Sequence, residues 1–470
     1  MLELTQNTQQ KSWIEHELED ADFGDARLDV RLIQIATEFF QNPQAAIHAA
    51  CRGKAEAKAA YRFFANEKVK SDLILKLHVG RTLERALEYG RIFAIEDTTY
   101  LDYGTHKSCE DLGPIAGQHL ERFKGLIAHS TLAISPEGVP LGLLDQMIWA
   151  RPDQKLRRAK VNKELESTKW EKAWRATLGI FKDHSVEIVV IADREGDITD
   201  WIKRMNEEET LFVIRARASQ RTVKDVITRT LRDEVRRWPS VLSYEIDVAV
   251  KASKKATRRL STRKAKVDVS YGQTLIYEKG GRKTISVNVV AVYEPHPSQG
   301  MEAVEWVLLT NTPVGSVEDA LEIISWYKQR WHIENFHRVL KSGCTVEEAR
   351  LGEAERLEKY ITLMSVIAWR LYWMDHISRA HPDESCETVL SEEEWQTLCV
   401  YRRYKNIKPL PPPHRPPTVR EVVHWIAGLG GFLGRKNDGE PGVITFWRGY
   451  RRLQDLTLGH IMADAAASCG

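Results

Sequence analysis

The chain has few cysteines, no long hydrophobic run and almost no net charge, and each of these absences excludes a class of protein. Its six cysteines are scattered along 470 residues and contain no Cys-x-x-Cys pair. This distribution argues against a zinc site and against a disulfide framework, so a reducing cytosol is the expected environment.

Membrane and secretory signals are also missing. The longest apolar stretch, from Ile361 to Met374, is interrupted by Arg370 and is too short to span a bilayer, so it predicts a buried helix. Residues 1–20 are polar and acidic and lack the apolar core of a secretory signal. We expect a cytoplasmic protein that has no membrane partner.

Positive and negative charges nearly cancel. The net charge is only +2 at pH 7, so binding to nucleic acid needs local basic clusters and not a global basic field. One such cluster runs from Lys251 to Lys266 and contains eight basic residues and no acidic one. A flexible cationic loop with Lys254 and Arg258 suits contact with a phosphate backbone, although a disordered hairpin tip has the same composition.

Length and periodicity divide the chain into three parts. At 470 residues it is too long for one ordinary core, so two or three domains are expected. Residues 1–70 show helical patterning, residues 71–375 contain the predicted strands, and residues 376–470 are helical and polar. A proline run at 408–417 is too poor in backbone donors for a helix or sheet, so it predicts a spacer or surface loop.

Two apolar strands run into aspartates. The segment from Arg91 to Tyr103 contains Asp97, and the segment from Val186 to Asp197 has an apolar run that stops at Asp193. Short apolar, β-branched runs are typical of buried strands, and a carboxylate at a strand end lies at the sheet rim, where sites in α/β folds are found. Either aspartate alone could instead be a turn or helix N-cap residue.

Neighbouring acids compete with these two aspartates. Glu96 is expected to point to the opposite side of its strand from Asp97, because side chains alternate along a strand. Glu195 has the parity of Asp193 but lies beyond the apolar run, and Asp197 lies further still. Asp193 is therefore preferred, with the two later acids as alternatives.

A third carboxylate lies on a late helix. One helical face carries a tyrosine, two cations and this carboxylate at spacings of three, four and seven residues: Tyr327, Arg330, Glu334 and Lys341. At about 100° per residue these side chains fall within roughly 60° of one another. Cations can neutralise phosphate oxygens beside a carboxylate-bound metal ion. The alternative is a solvated helix with spaced ion pairs.

The order of elements predicts an α/β fold. Three strands, a helix, a strand, a helix and a strand follow one another between 91 and 218, which is the order of an RNase H-like sheet. Strand-rich segments at about 220–315 then delay the helix that carries Glu334. We therefore predict an RNase H-like mixed-sheet catalytic domain with an inserted β-sheet, flanked by an N-terminal helical domain and a C-terminal helical domain.

Short motifs add a resemblance to a known family. They are I-E-D-T-T around Asp97, A-D-R-E-G-D-I around Asp193, and Y-x-x-R-x-x-x-E with the lysine at 341, together with G-D-A-R-L near Gly24 and L-G-G-F near Leu429. In these motifs, which extend over nearly the whole chain, the protein resembles the bacterial cut-and-paste DDE transposases of the IS-four family.

The resemblance implies a transposase that binds inverted transposon ends, cleaves them through a hairpin intermediate and joins the 3′ ends to target DNA. Asp97, Asp193 and Glu334 are implied to be the catalytic residues and the metal ligands. They would hold two Mg²⁺ ions per site, with Mn²⁺ as a substitute, because hard divalent cations prefer oxygen ligands. The active form is implied to be a homodimer on two double-stranded DNA ends, paired through residues 376–470 and associated with the bacterial nucleoid.

The resemblance also implies residues that contact DNA. They are Tyr327, Arg330 and Lys341 at phosphates beside the cut, His337 and Arg338 at the margin of the same face, and Arg31 and Arg62 in the end-binding domain of residues 1–70. Trp306 lies 28 positions before Glu334 (334 minus 306), the spacing of a tryptophan that stacks on a flipped base in related enzymes. On composition alone, a strand tryptophan is more often part of the core.

Two other functions stay open at this point. A nuclease of the same fold would share the three carboxylates and hydrolyse DNA without joining it. A catalytically silent DNA-binding inhibitor of transposition would pair with active copies, although intact Asp97, Asp193 and Glu334 argue against it.

Overall fold

A mixed sheet of ten strands lies at the centre of the protein. The computed structural model describes residues 12–51, 53–115, 123–152, 166, 168–223, 230–249, 262–277, 284–297, 301–412, 415–435 and 438–468. In chain order the strands are β1 (Arg91–Asp102), β2 (Gly113–Pro114), β3 (Lys124–Ile134), β4 (Pro140–Trp149), β5 (Glu187–Ala192), β6 (Leu211–Arg215), β7 (Leu242–Ala249), β8 (Thr262–Tyr277), β9 (Thr284–Tyr293) and β10 (Glu305–Thr310).

The strand order across the sheet agrees with the prediction. It is β2-β3-β1-β5-β6-β10-β9-β8-β7, with β4 paired to β3. β1, β5 and β6 run parallel to one another, whereas β3 is antiparallel to β1 and β4 is antiparallel to β3. An antiparallel three-strand unit followed by parallel strands is the RNase H-like arrangement that the sequence predicts.

The inserted strands continue this sheet and do not form a sheet of their own. β10 pairs with β6, and β9, β8 and β7 follow in antiparallel register. The pairing satisfies backbone groups at the outer edge of β6, which would otherwise be open to another chain. Alternation of apolar residues predicted these strands, but it carries no information about which strand each one joins.

The central strands are covered on both faces. Residues 92–95 of β1 and residues 188–192 of β5 are all buried. A continuous apolar run of this kind is needed when both sides of a strand pack against other elements. The polar residues that follow each run therefore emerge at the rim of the sheet.

Helices surround the sheet and continue beyond it at both ends of the chain. In chain order they are α1 (Trp13–Leu18), α2 (Ala26–Gln41), α3 (Ile47–Ala50), α4 (Lys54–Ala65), α5 (Ser71–Ala86), α6 (Lys169–Phe181), α7 (Thr199–Glu207), α8 (Leu231–Val235), α9 (Val317–Lys328), α10 (Trp331–Arg338), α11 (Ala354–Ala380), α12 (Glu392–Tyr404), α13 (Val419–Leu429) and α14 (Val443–Ser468). Within the part of the chain that the structure describes, no helix is both long and apolar enough to cross a membrane.

The long helix α11 connects the N-terminal helices to the sheet. It contains the apolar stretch 361–374, nearly all of which is buried, as the sequence predicts. Tyr360 packs edge-on against Phe39 of α2 and Phe64 of α4, with ring centroids 5.7 and 5.8 Å away. On another side, α11 packs against β4, so one helix carries contacts from the N-terminal helices to the central sheet.

Candidate active site

The rim of the sheet brings Asp97 and Asp193 side by side. β1 and β5 are parallel neighbours, and Glu96 lies opposite Ala192, the last residue of β5. One step further along the same register, Asp97 comes next to Asp193. The two carboxylates that the sequence predicts from separate strands therefore meet at one rim.

Asp97 has the electrostatic properties of a residue in a carboxylate cluster. Burial and then the negative charge of Asp193 raise the pKa of Asp97 from 3.8 to about 7. Glu334 adds to the rise, whereas the backbone N–H of Thr98, which donates to Asp97 Oδ1 at 2.8 Å, and the charge of Arg330 oppose it. Both other predicted acids thus lie within electrostatic reach of Asp97, and a cation among them would relieve the repulsion.

The two competing acids are engaged elsewhere. Asp197 is buried in an ion pair with Arg221. Glu195 is exposed, and its carboxylate lies 3.6 Å from Nζ of Lys169. Of the acids after β5, Asp193 is therefore the one that raises the pKa of Asp97.

The predicted helical face is not one regular helix. α9 ends at Lys328 and α10 begins at Trp331, and between them the N–H of Arg330 donates to the carbonyl of Tyr327 at 3.1 Å. An i→i+3 bond of this kind tightens the turn relative to an α-helix. After α10 the chain widens into a π-helical turn, Val339–Gly343. The prediction of one uninterrupted face is therefore wrong in detail, because packing, which residue spacing does not encode, decides where a helix tightens or widens.

Arg330 still joins three of the four predicted residues of that face. Its guanidinium lies 2.5 Å from Oε1 of Glu334. The same group lies 5.9 Å from the ring centroid of Tyr327. An ion pair four residues apart thus fixes the third carboxylate next to a cation at the start of α10.

Tyr327 is buried with its hydroxyl unsatisfied. The hydroxyl forms no hydrogen bond of good geometry with any described residue, although the guanidinium of Arg215 lies close to it. Its ring packs edge-on against Trp306, with ring centroids 5.7 Å apart. Trp306 is half-buried near the start of β10. Burying a hydroxyl without a partner costs free energy that an incoming acceptor recovers.

Lys341 lies against the strand that carries Asp97. Its Nζ donates to the carbonyl oxygen of Tyr100 at 2.8 Å and lies 3.3 Å from the carboxylate of Glu347. Tyr100 is part of β1, three residues beyond Asp97. The π-helical turn therefore returns a positive charge to the same strand.

His337 and Arg338 differ in what they can offer to an anion. His337 is buried, and its Nε2 has no partner among the described residues. Burial and then the charge of Lys341 lower the pKa of His337 to about 3, so the ring is neutral at physiological pH. Arg338 is exposed and donates to the side-chain oxygen of Asn335 at 2.9 Å.

The sequence analysis missed Arg215, the last residue of β6. Its guanidinium donates to the backbone oxygen of Glu305 at 2.6 Å and lies beside Tyr327. Burial lowers the pKa of Arg215, while the neighbouring Tyr327 opposes the shift. The signal was present in the sequence, because β6 is an apolar run that stops at a charged residue just as β5 stops before Asp193.

Models of known protein families match most of the chain. The Transposase DNA-binding model matches residues 10–69, the Transposase DDE domain model matches residues 166–371, and the Transposase Tn5 dimerisation domain model matches residues 366–470. The chain belongs to the Tn5-like transposases of the IS-four family. It is a DDE transposase, a member of an enzyme class that cuts and joins DNA with divalent metal ions.

The matched ranges relate the transposase family to the structure. The DDE range contains Asp193 and Glu334 and begins after Asp97, which the sheet nevertheless brings next to Asp193. Arg31, half-buried on α2, and Arg62, exposed on α4, lie inside the DNA-binding range. The dimerisation range contains α12, α13 and α14. Lys254 and Arg258 of the predicted basic loop lie outside the described residues.

The three acids of the transposase fit a divalent metal ion in their chemistry. Within the described ranges, no group of three or more His, Cys, Asp or Glu side chains is already arranged to hold a metal ion, and the carboxylate of Glu334 is paired with Arg330 instead. Carboxylate oxygens are the ligands that Mg²⁺ prefers. The pKa of Asp97 is raised by burial and then by repulsion from Asp193, and a bound cation relieves that repulsion. The residues present therefore fit such an ion.

Proposed function

We propose that this transposase binds the inverted ends of its transposon, cleaves them through a hairpin intermediate and joins the 3′ ends to target DNA. The observation that most supports this function is the parallel register of β1 and β5, in which Asp97 lies beside Asp193 at the rim of the sheet. The pKa of Asp97, raised by burial, then by Asp193 and less by Glu334, agrees with it. Acids that repel one another beside the cations Arg330 and Lys341 suit phosphodiester chemistry, in which developing charge must be neutralised.

Asp97, Asp193 and Glu334 are the proposed ligands of two Mg²⁺ ions per site, for which Mn²⁺ can substitute. When bound, such ions activate the attacking oxygen and stabilise the leaving oxygen of an in-line displacement. Asp97 would hold the metal together with the other two acids, because both act on its pKa. Glu334 would bind metal through the carboxylate whose Oε1 is paired with Arg330, and a weaker ion pair would leave the Arg330 guanidinium available to a DNA phosphate.

The proposed reaction exchanges one phosphorus–oxygen bond for another at every step. Water first hydrolyses one strand at the transposon end and frees a 3′-hydroxyl. This hydroxyl attacks the opposite strand, forms a hairpin and releases the flanking DNA with a 3′-hydroxyl of its own. A second water reopens the hairpin, and the two transposon 3′-hydroxyls attack target DNA. No external energy source is needed, because the number of phosphodiester-type bonds made and broken at each transfer step is equal.

Five residues around the acids are proposed to hold the DNA backbone. Arg330 and Lys341 neutralise phosphates beside the cut, and the unsatisfied hydroxyl of Tyr327 donates to one of them. Arg338 is exposed and can reach a phosphate further along. His337 is neutral, so its proposed contribution is a hydrogen bond and not a charge.

Trp306 is the proposed stacking partner of a flipped base during hairpin formation. Its ring is half-buried and lies against Tyr327, one of the proposed phosphate contacts. Any base offers a π-face, and extrusion from the duplex must be offset by a new contact. The competing role for Trp306 is packing between β10 and α9.

Recognition of the ends is assigned to the first domain and pairing to the last. Arg31 and Arg62 are proposed to contact the transposon end, and Lys254 and Arg258 the neighbouring backbone. Residues 366–470 are proposed to join two copies, each of which holds one end. Such a homodimer would perform its reactions on nucleoid DNA in the cytoplasm.

A strand-transfer assay tests the proposed function. Full-length protein is incubated with Mg²⁺, a supercoiled plasmid and a duplex that carries the repeat found beside the gene. We expect a joined product from a pre-cleaved end with a 3′-hydroxyl and none from the same end with a 3′-dideoxynucleotide, which lacks the attacking oxygen. Cleavage without any joined product favours the nuclease. Binding to the end without cleavage favours the silent inhibitor.

A further inference from the structure

An exposed basic and aromatic surface covers the end of α12 and the turn after it, outside the site described above. Its residues are Arg403, Tyr404, Lys405, Ile407, Lys408 and Leu410, here called the basic knuckle. Residues 403–410 are all exposed, and Tyr404 has 82% of its surface accessible, the largest fraction among the large apolar and aromatic side chains of the described residues. Tyr404 is not part of a core, and its ring centroid lies 5.3 Å from Nζ of Lys405, so the ring and a cation form one exposed surface.

The buried side chain of Arg402 fixes the backbone of the knuckle. The Arg402 guanidinium lies 4.4 Å from the ring centroid of Trp425 and is only 6% exposed. It donates to the carbonyl oxygens of Ile407 at 3.3 Å and Pro409 at 2.9 Å. A buried cation that binds two carbonyls fixes the turn, so little ordering entropy remains to be lost when a partner binds.

The charge of this region has one sign. From Trp395 to Arg420 the sequence contains six arginines and lysines and no aspartate or glutamate. Among the described residues, none of the cations of Arg403, Lys405 and Lys408 forms an ion pair. Near the active site, by contrast, Arg330, Lys341 and Arg221 are each paired with a carboxylate. The end of α12 favours positive charge, which accounts for Arg403. It does not account for Lys408, which lies beyond the helix.

We propose that the basic knuckle binds the backbone of duplex DNA that is not the transposon end, namely target DNA. Cations without acidic partners complement phosphates, and the exposed ring and aliphatic side chains can pack on the sugars between them. Contacts between cations and phosphates carry no sequence information, so they suit DNA whose sequence is not fixed. The assignment to target DNA rests on the proposed joining reaction. The proposal that the knuckle binds a DNA backbone does not depend on that reaction.

A second copy of the chain is the other occupant to consider, because the knuckle lies inside the dimerisation range. A two-fold interface centred on the knuckle would bring the same patch of each copy together and oppose cation to cation. The helix α14 offers a better surface for self-association, since Leu458, Ile461 and Met462 are exposed on it at helical spacing. Charge complementarity therefore favours DNA at the knuckle.

The test compares three variants of the full-length protein on a duplex without transposon ends. The first variant, Arg403→Gln/Lys405→Gln/Lys408→Gln, removes the three charges. The matched control, Lys76→Gln/Lys107→Gln/Lys182→Gln, removes three exposed lysines elsewhere. The third, Tyr404→Ser, removes the ring and keeps the charges. Binding is measured between 50 and 200 mM salt, with the oligomeric state of each variant determined by light scattering.

We expect the first variant to lower the slope of log K against log salt by about 2 to 3, since each phosphate contact contributes roughly 0.9. The control should leave the slope unchanged, and Tyr404→Ser should weaken binding at an unchanged slope. Nicking of transposon ends should stay within twofold of wild type while joining to plasmid falls.

Three outcomes would overturn the proposal, and they can be told apart. An unchanged slope for the knuckle variant removes the DNA contact. A change of oligomeric state with an unchanged slope assigns the knuckle to a second copy. An equal loss of end nicking and joining assigns it to the transposon end. If wild type itself joins nothing, the proposed function fails, and the binding slope still decides whether the knuckle contacts DNA.

Discussion

The two faces of β1 place neighbouring carboxylates in different surroundings. Asp97 and Glu96 follow one another on the strand and point to opposite faces, and both have a raised pKa. For Asp97, burial acts together with Asp193 and Glu334, which are acids of the same site. For Glu96, burial dominates and Asp145 adds to it. The comparison teaches that a raised pKa marks a candidate metal site only where several acids cause it.

The Glu96 face is closed and neutral. Glu96 and His129 are both fully buried, with His129 Nε2 3.4 Å from Oε2 of Glu96. The other ring nitrogen, Nδ1, lies 2.9 Å from the hydroxyl of Thr98. Burial lowers the pKa of His129 well below its usual range, so a neutral acid beside a neutral imidazole is the state that agrees with both shifts. The Glu96 face of β1 therefore packs inside the protein, whereas the Asp97 face contributes to a cluster of acids at the rim of the sheet.

Removal of the Asp97 carboxylate should have the largest effect. It tests whether the face of β1 that carries Asp97 is the catalytic one. We expect Asp97→Ala to slow nicking, hairpin formation and joining together by about 1,000-fold or more, because bound metal ions supply several kcal/mol of transition-state stabilisation. Gel assays of all three steps on an end-bearing duplex measure this. The matched control is Glu195→Ala, which removes the exposed acid nearby and should change rates only a few-fold. Equal losses in both variants would contradict the assignment.

The second prediction concerns stability and pH without metal. The folded pKa of Asp97, about 7, exceeds its ordinary value of 3.8, so the folded state keeps a proton that the unfolded state has lost. Stability is therefore lost as the pH rises from about 4 through 7. We expect Asp97→Asn to match wild type near pH 4 and to be more stable at pH 8 by roughly 2–4 kcal/mol, measured by urea unfolding in EDTA.

Divalent cations provide the control for that experiment. Added Mg²⁺ should stabilise the wild type at pH 8 and leave Asp97→Asn almost unchanged, because ligand binding to the folded state adds to its stability. The gap between the two proteins should therefore narrow. A gap that is the same at pH 4 and pH 8 would mean that neither burial nor the neighbouring acids raise the pKa of Asp97 in solution.

Residue patterns predicted the parts of this site that depend on local burial. The apolar runs of β1 and β5 predicted where Asp97 and Asp193 emerge, and alternation predicted that Glu96 faces the other way. Patterns could not predict that Arg221 pairs with Asp197, because the two are 24 positions apart and only the fold brings them together. The same limit applies to the partner of Glu96.

The interruption of the helix and the extension of the sheet could not be predicted from the sequence for a related reason. Spacing placed Arg330 and Glu334 on one face, and they do contact each other, yet the tight turn at Arg330 and the π turn near Lys341 arise from packing. Likewise, the inserted strands were visible as strands, but their addition to the edge of β6 depends on which backbone groups lack partners. Local patterns identify elements; tertiary contacts decide how those elements join.

Trp306 offers a third test. Its half-buried ring packs against Tyr327, so it could either stabilise the core or stack on a DNA base. We expect Trp306→Ala to leave the first nick unchanged and to slow hairpin formation by about 5- to 150-fold, the equivalent of 1–3 kcal/mol of base stacking. Trp306→Phe, which keeps an aromatic face, should recover most of the rate. Equal losses at nicking, hairpin formation and joining would assign the ring to the contact with Tyr327 and to the core.

The smallest effect is expected from Glu96→Gln, which decides whether the closed face of β1 is neutral. If Glu96 carries a proton, the amide imitates it and the free energy of unfolding at pH 7 should change by less than about 1 kcal/mol. If Glu96 is instead ionised and paired with a protonated His129, the change leaves a buried charge alone and should cost about 3–5 kcal/mol. Glu96→Leu is the companion variant, because it removes the carboxyl group that lies 3.4 Å from His129 Nε2 without a hydrogen bond of good geometry. That buried nitrogen is then left without this polar neighbour, which should cost about 1–3 kcal/mol. A larger loss of stability for Glu96→Gln than for Glu96→Leu would mean that Glu96 is ionised. Both faces of β1 would then carry charge, and the contrast between them would not hold.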